Sequence, residues 1–423
     1  MPDRKRYYVT TAIAYPNNKP GLHTLYEVVG ADVIARWHRM KGDDTRFLTG
    51  TDEHSVNIAT RARELGRETR EFVDEIVELF KDAEAKLSIS ADRFIRTTDP
   101  DHARAAQEMV RRAHANGDVY LGSYEGWYCP NEGFKAPSDL VEDARGFHCP
   151  NHPDVELQWL TERNWFFRLS AFGDRLLRYY DEHPDWVEPE YRKIELLSFI
   201  RQGLEAPRQV WVHGFMTVQG EKMSKSRGNF LDPDAMVAAF GSDGTRFVTL
   251  REIPFDRDAD VSWDSFVRRY NADLANDFGN LLNRTVSMTG RYLDGARPAP
   301  RPAAESPLAE GWAAAMAAYR DALEGCRLHE ALAELWAFVG GANKTVDAEQ
   351  PWVLAKAGKA GDAAAAARLA GVLGDLLEAC RLVGLAVAPY MPGIAPRVLD
   401  QLGYAYPYGP DGNGGPPIAD ELS

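Results

Sequence analysis

A strand–helix–strand pattern near the N-terminus constrains the fold of this chain more than any other sequence feature. Residues 6–14 are rich in β-branched and aromatic side chains, residues 25–40 repeat apolar side chains at helical spacing, and residues 44–48 have the composition of a second strand. Two strands joined by a crossover helix run parallel, and helices cover the faces of a parallel sheet. The pattern therefore predicts an α/β fold built on a Rossmann-like parallel sheet.

The ends of both predicted strands carry candidate ligand-binding residues. Residues 12–15 follow the first strand, and the polar residues 50–54 follow the second. Ligands of open parallel sheets bind outside the carboxyl ends of the strands. We therefore expect the binding site of this chain to contain both segments.

The chain has 423 residues, which is too long for one ordinary hydrophobic core. Changes in composition and periodicity predict five segments. They are residues 1–117 and 206–262, the two halves of a nucleotide-binding α/β domain; residues 118–205, a connective insertion with a cysteine-containing knuckle and return helices; residues 263–405, a helical bundle; and residues 406–423, a loose Pro/Gly-rich tail. Within the insertion, residues 164–180 have the spacing of an amphipathic helix.

Charge and cysteine content exclude some classes of protein. The 63 acidic residues outnumber the 49 basic ones, and the net charge of −14 argues against a general nucleic-acid coat while leaving room for a local basic patch. Four cysteines cannot form a disulfide scaffold for a chain of this length, and no apolar run is long enough to span a membrane. We therefore expect a cytoplasmic protein that has no membrane partner.

The most specific local signal is the pentapeptide Lys222-Met-Ser-Lys-Ser226, which follows a predicted strand at residues 209–218 and precedes a predicted helix at residues 234–250. Two ammonium groups three residues apart on a Gly/Ser-rich loop can both face a triphosphate, and the small hydroxyl residues let the backbone approach it. A solvated basic turn is the more common explanation of such a pentapeptide in isolation, so its context decides.

That context resembles a known family. The pentapeptide is identified as the adenylate-forming loop signature of class I aminoacyl-tRNA synthetases, and its surroundings resemble those of the methionyl-tRNA synthetase family. Further matches lie in the order of that family at residues 10–16, 47–54, 164–170, 271–284 and 349–352. The resemblance implies ATP-dependent activation of methionine to methionyl-adenylate, followed by transfer to tRNA, with Mg²⁺ bridging the phosphates.

The resemblance also implies roles for particular residues in the activation step. The backbone of Ile13, the ring of Tyr15 and the carboxylate of Asp52 would hold the amino acid, although an aspartate in a turn or cap is an alternative for Asp52. The ATP-binding residues would be Lys222, Met223, Ser224, Lys225 and Ser226, with Lys222 and Lys225 offsetting the charge of the pyrophosphate.

Three residues of the helical segment are implied to bind the tRNA anticodon. Asn280 and Arg284 lie four apart and share one helix face, and Trp352 follows a proline. Planar arginine and tryptophan side chains can stack on splayed bases while an asparagine reads a base edge. The alternatives are an ordinary polar helix face and a tryptophan buried in the core.

The first signature of the family is altered in this chain. Where the family has His-x-Gly-His, this sequence has Gly21-Leu-His-Thr24, so Thr24 or His23 would contact the α-phosphate. The chain also passes directly from Glu205 to Ala206, where the family has a long segment that contributes strands, a helix and the aromatic wall of the methionine pocket.

Two short loops have the spacing of a zinc knuckle. Cys129 and Glu132 are separated by 16 intervening residues from the pair Cys149 and His152. A Cys₂-His-Glu set can bind tetrahedral Zn²⁺, more weakly than a set with more thiolates; the alternative is a loop held by packing alone. Two further cysteines, Cys326 and Cys380, are expected to be small buried side chains.

Two other functions remain open on the sequence. One is a non-catalytic tRNA-binding paralogue, which the altered first signature and the missing segment favour. The other is a tRNA-independent, amino-acid-adenylating biosynthetic enzyme, against which the anticodon-type residues argue. For each function we expect a monomer.

Overall fold

A computed structural model of the chain describes residues 4–130, 133–143, 146–150, 152–183, 187–188, 209–214, 216–218, 220–222, 231–254 and 257–422. Its strands are β1 (Arg6–Thr10), β2 (Asp44–Thr51), β3 (Arg93–Arg96), β4 (Val119–Cys129), β5 (Gly133–Lys135), β6 (Val141–Asp143), β7 (Gly146–His148), β8 (Gln158–Phe167), β9 (Val187–Glu188), β10 (Val210–Trp211), β11 (Met216–Val218), β12 (Glu221–Lys222) and β13 (Ala259–Asp260).

Helices account for most of the remaining described residues. They are α1 (Leu22–Met40), α2 (Val56–Glu64), α3 (Thr69–Lys86), α4 (Pro100–Ala115), α5 (Gly173–Glu182), α6 (Pro233–Glu252, kinked at Gly241), α7 (Trp263–Arg269), α8 (Asn280–Leu293), α9 (Ala309–Glu324), α10 (Leu328–Glu349), α11 (Pro351–Lys359), α12 (Ala363–Ala386), α13 (Ile394–Gln401) and α14 (Ile418–Glu421). A π-helix, Tyr270–Gly279, joins α7 to α8. Among the described residues, no helix combines the length and the apolar composition that crossing a bilayer requires.

The predicted parallel sheet is confirmed. Strands pair in the order β1–β2–β3, and both pairs are parallel, with Thr10 opposite Leu48 and Thr51 opposite Arg96. Helix α1 crosses from β1 to β2 and buries residues on all its faces, including Val33 and Trp37. A crossover helix that is buried all round lies between other layers of the structure.

By its contacts the chain divides into two units, one made of Met1–Asp99 with Trp211–Ser423 and the other of Pro100–Val210. This division is coarser than the five predicted segments, and the boundaries between those segments stay a prediction. In the second unit, β4 and β8 form a long antiparallel pair. The prediction of one helix at residues 164–180 is wrong, because β8 continues to Phe167 and α5 begins only at Gly173.

Aromatic cross-strand pairs explain this difference. The rings of Trp127 and Trp159 meet edge to face with centroids 5.3 Å apart, and those of Tyr120 and Phe166 lie 5.9 Å apart. Such pairs stabilise a sheet through contacts between residues distant in sequence, which a local helical periodicity does not register.

In the first unit, a fully buried arginine joins the sheet region to the helical region. Arg246 of α6 contacts Asp32 of α1 at 2.8 Å and donates hydrogen bonds to the carbonyl oxygens of Tyr390 and Pro389 at 2.7 and 2.8 Å. Burial alone would raise the pKa of Asp32, but the charges of Arg246 and Arg36 hold that pKa below its usual value. A buried charge is tolerated only when it is paired and hydrogen-bonded in this way.

The helical character predicted for residues 263–405 is confirmed. The prediction of a loose tail at residues 406–423 is wrong. Ile418 and Leu422 are buried, and the indole of Trp312 donates a hydrogen bond to the Leu422 carbonyl at 3.0 Å. The guanidinium of Arg36 also bonds to the carbonyl of Pro410. Pro/Gly-rich composition indicated disorder, but a few apolar side chains anchor the segment.

Candidate active site

The carboxyl ends of β1 and β2 bring the predicted amino-acid-binding residues together. Beyond β1 the chain stays paired to β2, because Ala14 forms a bridge with Thr51 and its carbonyl accepts a hydrogen bond from the Asp52 backbone N–H at 2.9 Å. Ile13 and the partly exposed Asp52 therefore lie at the same edge of the sheet. The side chain of Tyr15 is 54% exposed and available to a ligand there.

A buried carboxylate that the sequence analysis missed fixes this edge. The side chain of Glu53 is fully buried and accepts two hydrogen bonds from Arg96, at 2.6 and 3.1 Å, and one from Thr51 at 2.9 Å. Burial would raise the pKa of Glu53, but the hydrogen bonds from Arg96, Thr98 and Thr51 lower that pKa. Glu53 is thus held as an anion directly beside Asp52, and it limits how far Asp52 can move.

The altered first signature lies at the start of α1. His23 is exposed and Thr24 is half-buried at the second and third positions of the helix, and no side chain caps the helix there. The first N–H groups of a helix lack intrahelical partners and favour anionic ligands. This helix end can therefore receive a phosphate, with the Thr24 hydroxyl on the same turn.

One turn further along α1, Glu27 contacts the segment that follows β1. Its carboxylate accepts a hydrogen bond from the Ala12 backbone N–H at 2.5 Å, and burial raises the pKa of Glu27. The neighbouring Tyr26 ring meets the imidazole of His213 edge to face, with centroids 5.4 Å apart. The contact between Ala12 and Glu27 joins residues 15 positions apart, so no local pattern in the sequence indicated a role for Glu27.

The first lysine of the pentapeptide ends a short β-hairpin. Lys222 is the last residue of β12 and pairs with Thr217 of β11, which in turn runs parallel to β13. The other ATP-binding candidates Met223, Ser224, Lys225 and Ser226 lie outside the described residues. Of the loop formed by residues 222–226, called the lysine loop below, the structure therefore describes only the first residue, Lys222.

The strand predicted at residues 209–218 is interrupted. It consists of β10 and β11, with His213 and Gly214 between them. A Cβ atom at Gly214 would lie 2.1 Å from the backbone of Arg257, so only glycine fits.

The three anticodon candidates lie on the helical part of the first unit. Asn280 is the exposed first residue of α8, and Arg284 of the same helix forms an ion pair with Asp347 at 2.9 Å. Trp352, on the first turn of α11, is 43% exposed, so the alternative of a core tryptophan is wrong. Helices α8 and α11 are in contact. The three residues are thus presented on neighbouring helices.

Three of the four predicted metal ligands come together in the second unit. The ligand atoms of Cys129, Cys149 and His152 all lie within 4.8 Å of one another, and both cysteines are fully buried. The Sγ atom of Cys149 is 3.8 Å from Nδ1 of His152. Ligand atoms on a tetrahedral zinc ion are separated by roughly 3.5–3.8 Å, so the set fits Zn²⁺. The fourth candidate, Glu132, lies outside the described residues.

Comparison with known proteins assigns the family. The family model described as "tRNA synthetases class I (M)" matches residues 7–206 and 193–286. A methionine–tRNA ligase of Caldanaerobacter subterraneus subsp. tengcongensis is 36% identical, over 95% of this chain and 74% of its own length. This chain belongs to the class I methionyl-tRNA synthetase family. The methionine–tRNA ligase of Mycobacterium leprae is 35% identical, over 94% of this chain and 89% of its own.

Solved structures of the methionyl-tRNA synthetase family agree with the fold. The Mycobacterium tuberculosis methionyl-tRNA synthetase in complex with methionyl-adenylate superposes with a TM-score of 0.85 and 34% identity, over 95% of this chain and 94% of that one. These matches confirm the family that the sequence indicated. Because its members are ligases, they also confirm the predicted enzyme class.

The comparison also indicates that this chain lacks residues that a relative has. The alignment with the Caldanaerobacter ligase extends over 486 positions, which exceeds the 423 residues of this chain. The difference corresponds to residues of the relative without a counterpart here. The two segments matched by the family model overlap at residues 193–206, a range that includes the junction of Glu205 and Ala206 at which the sequence indicated the gap.

Proposed function

We propose that this chain is a methionine–tRNA ligase that activates methionine with ATP to methionyl-adenylate and transfers the methionyl group to tRNA. The observation that supports it most is the pairing of Asp52 with Ala14 across the ends of β2 and β1. It presents a carboxylate and the backbone of Ile13 at the edge of the sheet where ligands of such folds bind. The relatives to which this chain is similar are methionine–tRNA ligases.

Each group has a defined part in the activation step. The Asp52 carboxylate binds the α-ammonium group of the amino acid, and the exposed ring of Tyr15 covers it. Lys222 and Lys225 stabilise the negative charge on the departing pyrophosphate, while Thr24, or His23 beside it, contacts the α-phosphate. Bound Mg²⁺ supplies further charge neutralisation on the phosphates. The remaining pentapeptide residues Met223, Ser224 and Ser226 bring backbone close to the triphosphate.

Pyrophosphate exchange with a panel of amino acids tests this proposal. We expect methionine to support exchange of labelled pyrophosphate into ATP, and tRNA to be charged with methionine in a second assay. Exchange that depends on a different amino acid, without tRNA charging, would instead support a biosynthetic adenylating enzyme. Absence of exchange with every amino acid would refute the ligase and favour a tRNA-binding paralogue.

We further propose that Asn280, Arg284 and Trp352 contact the tRNA anticodon. Trp352 is exposed next to the helix of Arg284, and an exposed indole can stack on an unpaired base. Trp352→Ala should raise the KM for tRNA about tenfold, since one base stack contributes about 1–3 kcal/mol, and should leave pyrophosphate exchange unchanged. The exposed Trp159 of the second unit provides the matched control, Trp159→Ala.

We also propose that Cys129, Cys149 and His152 hold Zn²⁺, with Glu132 as the fourth ligand. The proximity of two buried cysteines to one imidazole supports this assignment. Metal analysis of the purified chain should find about one zinc per chain, and Cys149→Ser should remove it. Cys380→Ala, a change at a buried cysteine of α12, should retain the metal. A metal-free wild-type chain would contradict the site.

The chain is further proposed to be a cytoplasmic monomer. No disulfide joins any of the four cysteines, all of which lie among the described residues, and this suits a reducing compartment. Light scattering coupled to size exclusion should give the mass of one chain, and the mass of two chains would contradict a monomer.

A further inference from the structure

The entrance of the lysine loop is held by a small sheet in the order β12–β11–β13. Met216 and Val218 of β11 are both 7% exposed and belong to the main hydrophobic core. Side chains alternate along a strand, so Thr217 points away from that core. In the pairing registers, Thr217 lies opposite Lys222 on one side and opposite Asp260 on the other.

One carboxylate oxygen joins this strand to the turn before Lys222. Oδ1 of Asp260 accepts a hydrogen bond from the Thr217 hydroxyl at 2.9 Å and another from the Gly220 backbone N–H at 2.8 Å. Gly220 has a φ of +74°, so it makes the tight turn between β11 and β12. The position of the turn is therefore fixed relative to β11, which the core anchors.

From this geometry we infer that Asp260 is a positioning residue that sets the place of Lys222 in the active site. The inference rests on the proposed function, in which Lys222 acts on the phosphates of ATP. Hydrogen bonds to a carboxylate are roughly twice as strong as neutral ones, so one Asp260 oxygen can hold both partners. The β12 strand has only two residues, and Lys222 lies two positions after the bonded N–H of Gly220.

Direct contact between Asp260 and the nucleotide is a distinguishable alternative. A carboxylate beside a triphosphate repels it unless a metal ion lies between them. If Asp260 bound Mg²⁺, the negative charge would be essential. If Asp260 positions the turn, a neutral side chain with the same acceptor oxygen is sufficient. Asp260→Asn separates the two roles, since an amide keeps one carbonyl oxygen and loses the charge.

The experiment compares the full chain with the variants Asp260→Ala, Asp260→Asn and Thr217→Val. Asp264→Ala is the control, because it removes an exposed carboxylate only four residues away. The readouts are kcat and the KM values for ATP and methionine in methionine-dependent pyrophosphate exchange, the dependence on Mg²⁺, and the melting temperature.

We expect Asp260→Ala to lower kcat by about 10- to 100-fold, since a misplacement of about 1 Å can cost this much. The KM for methionine should stay within about twofold, because Asp52 is untouched. Asp260→Asn should keep kcat within about threefold of wild type, Thr217→Val should fall between the two, and Asp264→Ala should match wild type.

Three outcomes would overturn the inference. The first is an unchanged kcat in Asp260→Ala. The second is loss of activity in Asp260→Asn together with an altered Mg²⁺ requirement. The third is a rise in the methionine KM of Asp260→Ala as large as its fall in kcat, together with a much lower melting temperature. An inactive wild-type chain would refute the proposed function and this inference together. An active wild-type chain together with an Asp260→Ala variant whose kcat is unchanged would refute the inference alone.

Discussion

The two sides of the candidate active site are built differently. On the amino-acid side, Asp52 lies between paired backbone and the buried Glu53–Arg96 ion pair. On the lysine side, the two-residue strand that ends at Lys222 is tied to the exposed Asp260. Substitutions of Glu53 or Arg96 on the first side should therefore act mainly on folding stability, and substitutions on the second side mainly on rate. This contrast separates the residues that build the site from those that act on the nucleotide.

The largest effect on rate is expected from Lys225→Ala. Removing one of the two ammonium groups should lower pyrophosphate exchange by about 100- to 1000-fold, as removal of a group that stabilises transition-state charge does in other enzymes. The melting temperature should not change. Lys356→Ala, on the exposed face of α11, is the control for the loss of one lysine. Unaltered exchange would remove the lysine loop from the mechanism.

The largest effect on stability is expected from Arg96→Ala. It leaves the Glu53 carboxylate buried without its charge partner, which costs about 3–5 kcal/mol in the free energy of unfolding. Denaturant titration of the variant measures this cost. Arg70→Ala removes an exposed partner of Asp74 and should change the same free energy by less than about 0.5 kcal/mol. Equal effects of the two changes would contradict the structural role of Glu53.

Glu53 also shows what the sequence could and could not predict. The run 47–54 pointed to Asp52, because a family motif and a strand end coincide there. Its neighbour Glu53 was missed because Arg96 and Thr98, which explain its burial, follow more than 40 residues later. Local patterns predicted the parallel sheet and the helical region. The extent of β8 and the packed C-terminal segment depend on contacts between distant residues, so local composition gave the wrong answer for both.

A pH-dependent effect on stability is expected at Glu84 of α3, which lies near Asp32 of α1. Burial, with the nearby charge of Asp32, raises the pKa of Glu84 to about 8. Between about pH 4.5 and pH 8 the unfolded chain is ionised at this position and the folded chain is not, so Glu84 lowers stability progressively as the pH rises. Glu84→Gln should raise the melting temperature by about 2 °C or more at pH 8 and hardly at pH 5. The same shift at both pH values would contradict the burial of this carboxyl group.

The smallest effect is expected where the two sides of the site meet. Lys19, in the turn before α1, contacts Asp232 at 3.0 Å and also Asp234 at the start of α6. These groups are partly exposed, so Lys19→Ala should lower the free energy of unfolding by only about 0.5 kcal/mol. Lys19→Arg should preserve it. A several-fold loss of exchange in Lys19→Ala would show that the two sides depend on each other more than their separate contacts indicate.

Both sides of the candidate active site should act on one adenylate. A crystal structure of the chain with methionine and a non-hydrolysable ATP analogue tests it most directly. We expect density for the methionine ammonium group at the Asp52 carboxylate and for the triphosphate beside Lys222 and Lys225. Density for neither ligand at these residues, in crystals that contain both at saturating concentration, would contradict it.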